Sequence, residues 1–226
     1  MNDTDAVVKL LERSENWHNG LEELRARLAL GGEQAKIAAE SYANRFEGRR
    51  SEMVFDVVVS RRRNYTKRVT KLVADFGRIP AARSLVDLAT IGVDDFAGLT
   101  RTEPTTIRNV AAGLVRFGEE NGFDDEDACC RAWAVSVAPI EHVHGLDRYV
   151  GQVSGIGPAL FAYLRMRAGA DTIKPDSRVR NGLQHAGFST PSGEAELLVF
   201  ASAIARSLNV SRLLLDQLLW NDVPSR

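Results

Sequence analysis

The 226-residue chain carries 29 basic and 30 acidic side chains, a net charge of −1, so bulk charge does not announce a polyanion-binding protein. At 44% hydrophobic residues it is ordinary globular material, enough for one large or two small domains, and no apolar run approaches a membrane span. Its two cysteines, Cys129 and Cys130, are adjacent. They cannot staple a fold or supply four thiolates to a metal, a usage that suits a reducing cytoplasm, and the acidic start Met-Asn-Asp-Thr-Asp is unlike a signal peptide.

In chain order, residues 3–48 read as two or three helices. Leu21, Leu24, Leu28 and Leu30 recur at roughly helical spacing, and Gly31-Gly32 is expected to break the run. An alanine-rich segment from Ala35 to Phe46 follows, with Trp17 expected in the core and His18 on the surface. Ser51 is placed as the N-cap of the next helix. Met53 to Ser60 has a β-branched run that could pass for a strand. It is read as helix, because no other stretch alternates like a sheet partner. The basic turn Arg61-Arg62-Arg63-Asn64 leads to a helix over 67–76.

Helix starts are then expected at Ser84, at Val93 to Phe96 and at Pro104, the last running through Ile107 to Phe117. Asp124 to Asp127 is a loop or helix start, Ala132 to Val135 and Ile140 are core, and no carboxylate or thiol completes a ligand set around His142 and His144. Two closing helices are read over 197–208 and 210–219. Charge is segregated. Arg61, Arg62, Arg63, Lys67, Arg68, Lys71, Arg78 and Arg83 form one basic group, and Arg165, Arg167, Lys174, Arg178 and Arg180 a second. Such clustering gives either a cationic face or ordinary solvated helix surfaces.

The most informative stretch is Val153-Ser154-Gly155-Ile156-Gly157-Pro158-Ala159. Asp147 to Gln152 reads as the end of one helix, Gly155 and Gly157 permit a tight turn, and Pro158 suits the first position of the next. The first N–H groups of a helix lack internal partners and favour anions, phosphate among them. Further on, Lys174-Pro175-Asp176-Ser177-Arg178-Val179 places Asp176 as the N-cap of a helix over 177–184.

Together, the glycine hairpin Ser154 to Ala159 and the downstream Pro-Asp-Ser-Arg-Val resemble the helix-hairpin-helix DNA glycosylases of the endonuclease III and adenine glycosylase superfamily. The resemblance spans about residues 55–187, since Val57 to Phe76 is similar to that family's Leu-Ser-X-Gln-Thr-X-X-X-Val segment. It implies an all-α, two-lobed helix-hairpin-helix fold, with residues 1–50 plus 165–226 as one domain and 51–164 as the other, and a flipped base held in the cleft between them.

By the same resemblance Asp176 is the catalytic carboxylate, stabilising the cationic sugar formed as an N-glycosidic bond breaks. The hairpin residues Ser154, Gly155, Ile156, Gly157, Pro158 and Ala159 grip phosphate of double-stranded DNA. Arg61, Arg62, Arg63 and Asn64 occupy the loop that enters the duplex, where the family usually has glutamine and one residue fewer. Asp56 stands near a glutamate of the adenine-specific branch that protonates the leaving base; facing solvent or pairing with an arginine is the other reading. Bifunctional relatives carry a lysine where this chain has Ala159, which implies a monofunctional glycosylase that leaves an abasic site; Lys174 does not match the spacing. No cofactor is required. The carbonyls of Gly151, Val153 and Ile156 are expected to hold K+ or Na+, and two cysteines exclude the family's iron–sulfur cluster. The expected protein is a monomeric DNA-repair hydrolase, cytoplasmic and, in a bacterium, nucleoid-associated. The alternative is a non-enzymatic helix-hairpin-helix DNA-binding protein.

Overall fold

The computed structural model describes residues 9, 11, 15–92, 96 and 98–222. Among them the secondary structure is helical, with no strand. The helices are α1 (Glu15–Asn44), α2 (Arg50–Val59), a π-helical turn (Tyr65–Val69) running into α3 (Thr70–Phe76), α4 (Leu85–Thr90), α5 (Glu103–Asn121), α6 (Glu126–Ser136), a 3-10 segment (Ala138–Leu146), α7 (Pro158–Arg167), α8 (Ser177–His185), α9 (Glu194–Ser207) and α10 (Arg212–Asp222). The expected helix start at Val93 and the reading of residues 3–8 lie outside the described residues. The chain divides into two compact units, Met1–Ala43 with Asp171–Arg226, and Asn44–Ala170.

In the first unit α1 continues through Gly31 and Gly32, where a break was expected. Each glycine costs roughly 1 kcal/mol of helix propensity relative to alanine. Trp17, Leu21, Leu24, Ala35 and Ala39 lie buried along the helix on both sides of the pair, and that burial outweighs the cost. Leu30, grouped with the core leucines by spacing, points outward at 88% exposure. Trp17 meets Phe188 edge-on at 5.6 Å, and Val179, Leu183, Leu197, Ile204, Leu215 and Leu219 complete the core from α8, α9 and α10.

The second unit is built on α2, of which every residue except Glu52 is buried. Its β-branched Val57 to Val59 lowers helix propensity by only a few tenths of a kcal/mol per residue, and without a strand partner the helix keeps the backbone bonded. Phe55 stacks on Phe76 at 4.1 Å, and α2 packs on α5 and α7. Ser51 is not the cap. The helix begins at Arg50 with Arg49 in the cap position, two residues earlier than expected, and the Ser51 hydroxyl donates to the Arg83 carbonyl. Ser84 does cap α4, in a reciprocal pair with Asp87, and Asp125 caps α6.

Candidate functional site

The glycine turn lies in the second unit. Residues 147–152 form a series of turns instead of a helix end, because the Asp147 carboxylate takes the N–H groups of Val150 and Gly151 at 2.8 Å each and folds the chain on itself. Glycine is required at two points of close approach. A Cβ on Gly151 would lie on the His144 carbonyl, and one on Gly113 of α5 would lie on the Tyr149 carbonyl. Gly155 takes φ +94°, in the left-handed region that favours glycine. The Thr106 hydroxyl of α5 donates to the Ser154 carbonyl at 2.9 Å and buttresses the turn from beneath.

Gly157 is the N-cap of α7, with Pro158 at its first position. The amides of this first turn have no intrahelical acceptor by helix geometry, so the turn delivers backbone donors at a helix N-terminus. Ser154 and Gly155 are exposed, Gly157 to Ala159 are half-buried, and the Ile156 side chain is in the core. Of the three carbonyls expected to hold a monovalent cation, that of Val153 accepts the Ile156 N–H at 3.0 Å.

In the basic loop, Arg61, Arg62 and Asn64 are exposed, and Arg62 sits in the left-handed region at φ +56°. Asn64 accepts the Lys67 N–H and starts the following helix two residues before the expected 67. Arg63 is not presented with its neighbours. It pairs with Glu103 through both guanidinium ends and donates to the Val59 carbonyl. Burial pushes the Glu103 carboxyl up, but the Arg63 guanidinium and the Thr100 N–H outweigh it and hold the group below its ordinary value. Lys67, Arg68 and Lys71 are exposed on the same stretch, so a cationic surface survives there without Arg63.

The second basic group contains two arginines that do not reach the surface. Arg165 (1% exposed) donates to the Ala134 carbonyl and pairs with Glu141. Arg167 (2%) lies 3.5 Å from Asp56 and binds the hydroxyls of Tyr65 and Tyr163. Asp56 is itself buried and accepts from Tyr65 at 2.7 Å and Tyr163 at 2.9 Å. Its neighbours are therefore two phenols and a guanidinium as well as valines. This is the arginine-paired reading of Asp56, and each of its carboxylate oxygens accepts a phenol hydroxyl. Spacing held the signal for these burials: Arg165 and Arg167 interrupt an apolar run that has no polar face.

Asp176 lies in the first unit, so the two parts of the expected site belong to different units. It is the N-cap of α8, where Oδ1 accepts the N–H of Arg178 at 2.9 Å and of Val179 at 3.2 Å. Lys174 Nζ is 3.3 Å from Oδ2, and the carboxyl remains partly exposed. The Arg178 guanidinium lies over the Trp220 ring at 3.7 Å and donates to the Trp220 carbonyl.

Sequence reasoning missed Asp216 of α10. It is buried at 5% exposure and accepts the Lys174 backbone N–H at 3.1 Å. An aspartate inside Leu213-Leu214-Leu215-Asp216-Gln217-Leu218-Leu219 was the available sign. The thiols of Cys129 and Cys130 are pushed up by burial, Cys129 to about 11, so both are inert packing groups. Among the described residues no group of His, Cys, Asp or Glu could hold a metal ion, and no single helix is long and apolar enough to cross a membrane.

Comparison with protein-family models, curated proteins and solved structures returns no match.

Proposed function

We propose that this chain is a helix-hairpin-helix DNA glycosylase of the two-lobed type, a monomer that binds double-stranded DNA and hydrolyses the N-glycosidic bond of a damaged or mismatched base. The observation that carries the reading is the glycine turn at Gly155 to Gly157, buttressed by Thr106 and opening into the N-terminus of α7. The resemblance implies a phosphate grip there, and the geometry supplies backbone donors at a dipole end suited to one. The division into two all-α units and the exposed basic residues Arg61, Arg62, Lys67, Arg68 and Lys71 also support it.

In this reading the C1′–N bond of the flipped nucleotide breaks, and its electron pair leaves with the base, which takes up a proton. Asp176 stabilises the positive charge that develops on the sugar and orients a water. The water oxygen bonds to C1′ and releases a proton, leaving free base and an abasic site. Ala159 occupies the position of the bifunctional lysine, and Lys174 is an ion-paired ammonium, so no Schiff base forms. No cofactor is required; the carbonyls of Gly151, Val153 and Ile156 are the groups that would hold K+ or Na+, which would supply positive charge at the turn.

A second reading, a non-enzymatic DNA-binding module, is favoured by one observation. Both Asp176 oxygens already have partners within the chain, Oδ1 the cap amides and Oδ2 Lys174.

Duplexes bearing single damaged or mismatched bases, incubated with wild type and Asp176→Asn and then treated with alkali, separate the two. Alkali-dependent strand breaks from wild type alone establish the glycosylase. Breaks without alkali would reveal a lyase nucleophile, with Lys174 the first to replace. Salt-sensitive binding with no product from any duplex leaves the module.

A further inference from the structure

We propose that Asp216 is a positioning residue for Asp176, acting through the Lys174 backbone that joins them. The inference rests on the reading of Asp176 as the working carboxylate, and extends it to a residue remote in sequence that touches no substrate.

The segment 171–176 is without regular structure and must be held from outside if Asp176 is to keep its place. It is held by α10. Asp171 Oδ1 accepts the Leu213 N–H at 3.0 Å, and Asp216 Oδ1 accepts the Lys174 N–H at 3.1 Å. The Lys174 carbonyl in turn accepts the Asp176 N–H at 2.8 Å. One residue thus links the two aspartates: Asp216 accepts the Lys174 N–H, Asp176 donates its own N–H to the Lys174 carbonyl, and the Lys174 side chain returns to Asp176 Oδ2.

A structural role for α10 alone does not call for a carboxylate. Burial pushes Asp216 up to about 7, so its charged form is a liability that a leucine at this position would avoid. Its use lies in the acceptor. Without it the part-buried Lys174 N–H would lose this acceptor, and the turn that seats Asp176 would lose its anchor on α10. Close packing of the same helices, with Leu219 against Gly182 of α8, keeps the Asp216 backbone in place.

The test is amide hydrogen exchange of Lys174, Arg178 and Val179 in the full chain, for wild type, Asp216→Asn and Asp216→Leu. The asparagine keeps an acceptor oxygen and should leave all three rates close to wild type. The leucine should speed Lys174 and, with it, the two cap amides by about tenfold or more, while α1 amides are unchanged. Asp216→Ser, too short to reach Lys174, replaces the leucine variant if that does not fold. Acceleration confined to Lys174 would overturn the proposal, since Asp176 would then keep its seat unaided. Single-turnover base release adds the functional consequence: loss in Asp216→Leu at unchanged duplex affinity, with recovery in Asp216→Asn. An active wild type matched by Asp216→Leu also overturns it. A wild type that releases no base sinks the glycosylase reading instead, and the exchange rates still decide the positioning role.

Discussion

Arg63 turns inward and clasps Glu103 at the start of α5, with Nη2 to Oε2 at 2.8 Å, while Arg61 and Arg62 beside it stay exposed. Three consecutive arginines therefore divide into one that holds the second unit together and two available to a partner. Removing one member of a largely buried pair leaves the other uncompensated. Arg63→Met should lose roughly 3 kcal/mol of stability, whereas Arg61→Ala should stay within about 0.5 kcal/mol of wild type and weaken duplex binding. Because Glu103 is held below its ordinary value, the pair's contribution is present above the unfolded carboxylate range and fades as pH falls through the folded value. Urea unfolding with a DNA-binding titration checks both halves; equal stability losses for the two variants would contradict the division.

Gly157 has extended backbone angles that any residue adopts, and it caps α7. Gly157→Asp should preserve or slightly raise stability, since aspartate is a good N-cap. Its carboxylate would occupy the seat meant for phosphate, so duplex affinity should fall by an order of magnitude or more at low salt. Unchanged affinity would show that the turn does not face DNA.

Two glycines should respond to alanine in different ways. At Gly151 a Cβ meets the His144 backbone carbonyl, which cannot swing aside as a side chain would. Gly151→Ala should cost roughly 3 kcal/mol and disturb the turn. At Gly122 the space is open and only the left-handed φ of +72° is strained. Gly122→Ala should cost about 1 kcal/mol. Chemical denaturation of both reads the difference.

Asp216 makes a pH prediction with a definite sign. Its folded value of about 7 lies above the ordinary 3.8, so between them the folded chain binds a proton that the unfolded chain has released. Its contribution therefore lowers stability as pH rises across that window and levels off above it. Asp216→Asn should remove this slope, gaining on wild type between about pH 4 and 7 and reaching on the order of 4 kcal/mol beyond it. Lys174, Asp176 and Arg178 are the charged groups that face it. Parallel stability curves for the two proteins would refute the assignment.

Local chemistry was legible in the residues themselves. The helices, the cap at Asp176, the turn at Gly155 and the start at Pro158 follow from backbone preferences that act within four or five residues. What the side chains face does not. Arg63, Arg165 and Arg167 read as surface cations until Glu103, Glu141 and Asp56, each distant in sequence, arrive beside them. Gly31-Gly32 reads as a break until the burial of Trp17, Leu21, Leu24 and Ala35 outweighs two glycines. Asp216 gains its place beside Lys174 only when α10 packs back on α8, 42 residues along the chain from its partner. Periodicity and capping are short-range and written in neighbouring residues, while burial and pairing are long-range and exist only once the chain has closed on itself.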